Sequence, residues 1–231
     1  MRFVPVVFIA MTCVAAAEPA YKFSYAYPAQ ARAIPPLRAW LEADKARGRT
    51  KFAAEAMAAQ REAKKDGFPY HPYDADMTWQ VVTDTPRFLS LSRLSWAYTG
   101  GAHGNSGYDS LLWDKATRMR RQPADVFADP KALYASVRKS FCDLLDRERS
   151  KRRGEPVVRG KSMFDDCIDP AQEVLILGSS GGGRINRIGF LIAPYNAGSY
   201  AEGTYEVTLP VTPAILARVK PQYRGAFAVG R

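Results

Sequence analysis

The stretch WAYTGGAHGNSGYDSLLWD, residues 96–114, holds four glycines and one of the two histidines in the chain. It lies between segments in which apolar and polar residues alternate. Arg87–Tyr98 on one side and Tyr108–Trp113 on the other have the period of two that a half-buried strand requires. Glycines reach positive φ without a Cβ clash. The run therefore predicts a tight connection between two antiparallel strands, in which His103 and Asn105 hydrogen-bond backbone groups. This hairpin sets the expected fold class.

Working outward, Tyr21–Tyr27 alternates aromatic and polar residues and predicts a first strand ending at Pro28. Pro35-Pro36 opens a helical stretch, since proline suits a first turn. Its apolar stripe runs through Leu37, Trp40, Leu41, Phe52, Ala56, Ala59 and Ala63, with a break or kink at Gly48 and an end at Gly67. Met77–Thr83 is another strand, joined to Arg87–Tyr98 by Asp84-Thr85-Pro86. Asp129-Pro130 is an N-cap followed by proline, and Leu133, Val137, Phe141, Leu144 and Leu145 form one face of a second helix. Glu173–Leu177, Ile185–Ala193 and Thr204–Leu209 supply further strands, and Pro213–Val219 a short closing helix. Strands mixed with two main helical regions predict an α+β fold with a largely antiparallel sheet.

The N-terminus reads as a secretory leader. One cation, Arg2, precedes an uncharged run from Phe3 to Val14, and Ala15-Ala16-Ala17 offers small residues for cleavage after Ala17. Lipid attachment at Cys13 is the minor alternative, since Ala10-Met11-Thr12 fits a lipoprotein signal poorly. The expected location is periplasmic, with no later membrane span. Loss of the leader lowers the formal charge from +10 to +9, and the sequence pI is near 9.6. Such a charge favours acidic partners such as wall polymers. Export argues against nucleic acid. Two cysteines then remain, Cys142 and Cys167, and an even pair in an oxidising compartment reads as one disulfide. Two buried thiols are the alternative.

Chemical motifs are sparse. Gly178-Ser-Ser-Gly-Gly-Gly-Arg184 lacks the Gly-Lys-Ser/Thr of a phosphate loop, and no helix pattern follows. A hairpin turn accounts for it better. It also fails the Gly-x-Ser-x-Gly spacing of a nucleophile elbow. So few His and Cys residues point to no metal site and no cofactor. The basic run Arg147-Glu-Arg-Ser-Lys-Arg-Arg153 suits a helix C-terminus, with a polyanion patch as the alternative. No catalytic residue is assigned.

Tyr98-Thr-Gly-Gly-Ala-His-Gly-Asn105, Trp113-Asp-Lys115 and Asp125-Val-Phe127 resemble the paired domains of RsiV-like lysozyme-sensing anti-sigma factors. They are also similar to the module that precedes the catalytic domain in PdaC-type peptidoglycan deacetylases. Ile188–Tyr195, Gly198-Ser-Tyr-Ala-Glu-Gly203 and Val207-Thr-Leu-Pro210 resemble the same family's C-terminal signature. After the leader over 1–17, the resemblance implies an RsiV-extracellular-domain-like fold: an N-terminal helix-bearing module over 18–105 and a C-terminal α+β module over 106–231, the two modules forming one compact unit. It implies sensing or binding, not catalysis, although neither a sigma-binding region nor a deacetylase domain is evident. Lysozyme is a poor ligand on charge grounds, because a cationic partner repels a cationic chain.

The expected function is an exported binding or sensing module of the cell envelope that recognises a wall glycan or another acidic component. The candidate loop is Tyr98, Gly100, Gly101, His103 and Asn105, and the candidate aromatic surface is Tyr195 and Tyr200. Tyr98 and Trp113 are further aromatic candidates, Trp113 being better suited to the core. An envelope-polymer hydrolase using His103, or an inhibitor or stress adaptor that binds a periplasmic protein, are the alternatives.

Overall fold

The computed structural model describes residues 19–230. The expected leader, its cleavage position and Cys13 lie outside the described residues. The chain is α+β, with a mixed five-stranded sheet and an antiparallel three-stranded one.

Strand β1 (Tyr21–Ala26) pairs parallel to β2 (Tyr73–Asp84), from Tyr21 opposite Tyr73 to Ala26 opposite Thr78. A parallel neighbour needs a long crossover. It is supplied by a short helix α1 (Ala29–Arg32) and the 32-residue α2 (Pro35–Asp66). Gly67 ends α2 in the left-handed conformation at φ 74°, its N–H bonding Ala63 O. The expected break at Gly48 does not occur. A Cβ there would lie 3.6 Å from the Phe23 ring and 3.8 Å from the Met77 sulfur, so this turn passes close over β1 and β2. Both are ordinary van der Waals distances, so the helix is continuous through Gly48 without a steric need for glycine.

The opening hairpin forms β3 (Phe88–Tyr98) and β4 (Asn105–Asp114), and β5 (Met119–Arg121) extends the meander. The pairing of β3 with β4 crosses residue 105, so the first sheet reaches into the segment expected as the C-terminal module. The register sorts the side chains between two cores. Leu89 faces Trp113 and Leu91 faces Leu111, and these four join Leu37, Leu41 and Trp79 beneath α2. Phe88 and Leu112 belong instead to a larger core with Val126, Phe127, Phe141 and Phe190. Asp114 is fully buried at the end of this ladder, held by Arg87 at 2.8 Å and Arg121 at 3.5 Å. Burial alone would raise its carboxyl pKa, but the Arg87 and Thr117 hydrogen bonds hold it below the ordinary value.

Helix α3 (Pro130–Arg153) starts at Asp129, whose side chain accepts from Ala132 N. It buries Leu133, Val137, Phe141 and Leu145. Phe141 meets Phe190 edge-on at 5.1 Å, within the sheet of β6 (Val174–Gly178), β7 (Arg187–Ile192) and β8 (Tyr205–Pro210). The glycine run after β6 is the turn that joins it antiparallel to β7. Helix α4 (Pro213–Arg218) closes the core through Ile215.

Cys142 of α3 is bonded to Cys167, with Cα atoms 5.4 Å apart and a sequence separation of 25. Closing a loop of that length contributes about 3.5 kcal/mol by loop entropy. Replacing both cysteines with serine should lower the thermal midpoint by about 10 °C. Calorimetry of the oxidised protein and the double variant checks it.

Candidate functional site

The turn between β3 and β4 docks on the segment between β7 and β8, so the two halves of the family resemblance meet in space. The His103 ring stacks on Tyr200 with centroids 3.7 Å apart, and the Tyr195 ring lies 6.3 Å away at an interplanar angle of 25°. Tyr195 Oη is 3.2 Å from His103 Nε2, and His103 Nδ1 is 2.9 Å from Gly104 O. A carbonyl can only accept, so Nδ1 carries the proton and Nε2 takes the hydrogen bond of the Tyr195 hydroxyl. Tyr200 Oη also donates to Gly104 O, at 2.8 Å.

The turn itself is built as its glycines require. Gly100 and Gly101 have φ of 88° and 97°, and Tyr98 Oη donates to Gly101 O at 3.2 Å. Asn105 Oδ1 accepts from Ser106 N at 3.0 Å. Gly104 answers to a different constraint. It is buried, and a Cβ would come within 2.4 Å of the Trp96 indole. Trp113 is far from this cluster, buried beneath α2.

Tyr195 is one of two non-glycine residues with positive φ among the described residues, at 70°. The residue stays 48% exposed. Left-handed backbone at a tyrosine costs on the order of 1 kcal/mol or more and persists only where neighbours enforce it. Three restraints surround it. Asn196 Nδ2 donates to both Glu173 carboxylate oxygens at 3.2 and 3.1 Å. Arg149 Nε donates to Ala197 O at 2.8 Å. Gly198 lies so close to Glu202 that a Cβ would meet its carboxylate at 2.6 Å.

The basic end of α3 therefore acts as a clamp. Arg149 is fully buried and also reaches Asp166 O at 3.1 Å and Asp146 at 3.2 Å. Arg152 holds the Glu202 and Thr204 carbonyls and covers the Tyr205 ring. Arg153 bridges Glu202 at 3.0 Å and Asp165 at 2.8 Å. These three guanidinium groups are engaged internally, while Arg147 and Lys151 of the same run are exposed. Glu202 also accepts from Ser199 N at 3.0 Å and from the Tyr205 hydroxyl. Burial would raise its pKa, but Tyr205, Arg153 and Ser199 together push it down to about 2. Tyr205 is pushed up to about 12 by burial and by that carboxylate.

Sequence reasoning named the rings and missed their supports. Ser199-Tyr-Ala-Glu202 is a legible capping box, and it forms. Arg149 follows Leu145 by four residues and Leu133, Val137 and Phe141 at the same spacing, which puts it on the buried face. No metal-binding group of three His, Cys, Asp or Glu residues occurs among the described residues.

Residues 14–106 match the family model described as Deacetylase PdaC. The match includes the Tyr98–Asn105 signature and ends as β4 begins. The fold is similar to that of a DUF3298 family member from Bacteroides fragilis NCTC 9343, at 16% identity and a TM-score of 0.51, covering 81% of this chain and 72% of that one. A DUF3298 family protein from Pseudomonas aeruginosa PAO1 gives 15% identity and a TM-score of 0.42, covering 69% and 66%. No curated protein matches the chain. Residues 14–106 are thus similar to a PdaC-type domain, and the fold is similar to that of the Bacteroides fragilis DUF3298 family member.

Two variants separate the roles of neighbouring glycines. Gly104→Ala should destabilise by about 1–3 kcal/mol through the Trp96 clash. Gly107→Ala, with open space around its Cβ and no positive φ, should be neutral or stabilising by up to about 1 kcal/mol. Urea denaturation of both variants checks the contrast. Acid should loosen the clamp in a defined window. Glu202 is lowered from 4.5 to about 2, so its stabilisation is complete above pH 4.5 and is lost as pH falls through about 2. Protection of the amides in residues 195–204, measured against their intrinsic exchange rates, should fall across that range, while protection in β3 changes less.

Proposed function

We propose that the protein is an exported, non-enzymatic binding module of the cell envelope, and that the rings of Tyr195, His103 and Tyr200 bind a wall glycan. The observation that carries this reading is Tyr195 itself. A tyrosine in left-handed backbone whose N–H bonds Gly198 O at 3.1 Å, in a loop fixed by Glu173, Arg149 and Glu202, and which is still half exposed, is a braced surface residue. Rigid aromatic side chains present apolar area at little entropic cost, and sugar rings offer complementary C–H faces. The predicted leader and the Cys142–Cys167 disulfide both suit a periplasmic setting. No described helix is long and apolar enough to cross a membrane.

Catalysis through His103 is the weaker reading. Its nitrogens face a carbonyl and a phenol, and neither meets a carboxylate among the described residues. A histidine acting as general base is oriented by a third group that stabilises its charged form, and the Gly104 carbonyl is a weaker partner for that task.

Co-sedimentation with purified peptidoglycan sacculi tests the proposal. The native protein should pellet above a charge-matched control. Tyr195→Ala should weaken binding about tenfold with its thermal midpoint retained. Equal pelleting of control and native protein, or undiminished binding by Tyr195→Ala, would overturn the reading.

A further inference from the structure

A second concavity lies at the opposite end of the β3–β4 ladder. Eight residues of β4 separate Asn105 from Trp113, so the two places are about 27 Å apart. The cleft measures about 480 Å³, within the range of small-molecule sites. Its floor is the cross-strand pair Leu89 and Trp113. Ala33 and Ile34, between α1 and α2, form one wall, and Gln30 of α1 stands above them. On the other side are Asp84, at the end of β2, and Lys115 and Arg118, in the turn between β4 and β5.

The charges on this rim are unequal. Lys115 is tied to Asp84 and donates to Thr85 O at 2.6 Å. Arg118 takes part in no ion pair among the described residues, and it is exposed. It is also the second non-glycine residue with positive φ, at 56°. A glycine would occupy that turn position without strain. An arginine placed there brings an uncompensated cation to the lining of a cleft with an apolar floor.

We infer that this cleft binds a pyranose carrying a carboxylate. Leu89, Trp113 and Ile34 would take the ring's C–H face. Arg118 would take the carboxylate, by the paired N–H geometry that suits it. Asp84 accepts and Gln30 both donates and accepts, which matches hydroxyl groups. A simple anion would leave the apolar floor unused. An aliphatic acid would leave Gln30 without a partner. Uronic acids and acidic amino sugars share the required chemistry. The inference is independent of ring-platform binding at Tyr195.

Calorimetric titration of the full chain with sodium glucuronate, N-acetylmuramate, glucose and sodium sulfate tests it. At least one sugar acid should bind at least tenfold more tightly than glucose, and which one does so identifies the source. Arg118→Gly relieves the left-handed strain, so it should fold at least as stably as the native chain and lose at least tenfold in affinity for that acid. Tyr195→Ala should bind it unchanged. The inference is overturned if neither acid binds, if glucose binds equally, or if sulfate displaces the sugar at equal concentration. It is also overturned if Arg118→Gly binds normally, or if Tyr195→Ala and not Arg118→Gly abolishes binding.

Discussion

The register between β3 and β4, running from Phe88 opposite Asp114 to Ala97 opposite Asn105, is the constraint on which both cores and both candidate sites rest. Antiparallel sheets commonly bury one face and leave the other in solvent. Here the inner end of the hairpin is buried on both. Leu89, Leu91, Leu111 and Trp113 face α2, while Phe88 and Leu112 face the second sheet and α3. A slip of one residue would exchange these faces and drive Ser90 and Ser110 into the α2 core. It would also move the Gly100–Gly104 turn relative to the loop it docks on. The buried Asp114, fixed between Arg87 and Arg121, can satisfy both cations only in the observed pairing. Polar groups of this kind select one arrangement more than they add stability.

Much of the fold was legible because it rests on local periodicity. Alternation in Met77–Thr83, Arg87–Tyr98 and Tyr108–Trp113 marks the meander, and the proline and glycine boundaries of α2 and α3 fall where expected. What escaped was decided by tertiary contact. Alternation in Tyr21–Tyr27 predicts a strand but cannot say that it pairs parallel to β2. Gly48 reads as a helix breaker because propensity disfavours it, yet α2 runs unbroken through it, anchored on either side by Leu37 and Leu41 and by Phe52, Ala53 and Ala56.

The candidate site shows the same division. His103, Tyr195 and Tyr200 could be named as aromatic or turn residues, but their stacking joins positions more than ninety residues apart. The arginines of α3 had a sufficient local explanation in the helix dipole. Only the fold reveals that Arg149, Arg152 and Arg153 hold the loop carrying Tyr195 and Tyr200. Cys142 lies two turns before Arg149 on the same helix, and Cys167 closes a strap whose Asp165 and Asp166 meet those arginines. Helix α3 thus couples the disulfide, the strap and the ring platform in one rigid element.

The parallel pairing of β1 also orders the events of folding. Strands β2, β3 and β4 are joined by short turns, and their contacts close small loops. Tyr21 and Tyr73 are separated by more than fifty residues, with α2 between them. Loop closure must precede such a contact, which makes it entropically late. In α2 only the buried face of its first half and Phe52, Ala53 and Ala56 are anchored, so the helix has little to hold it until the meander exists. The pairing of the edge strand at the start of the described chain therefore carries a larger loop-closure cost than any contact within the hairpin at residues 88–114.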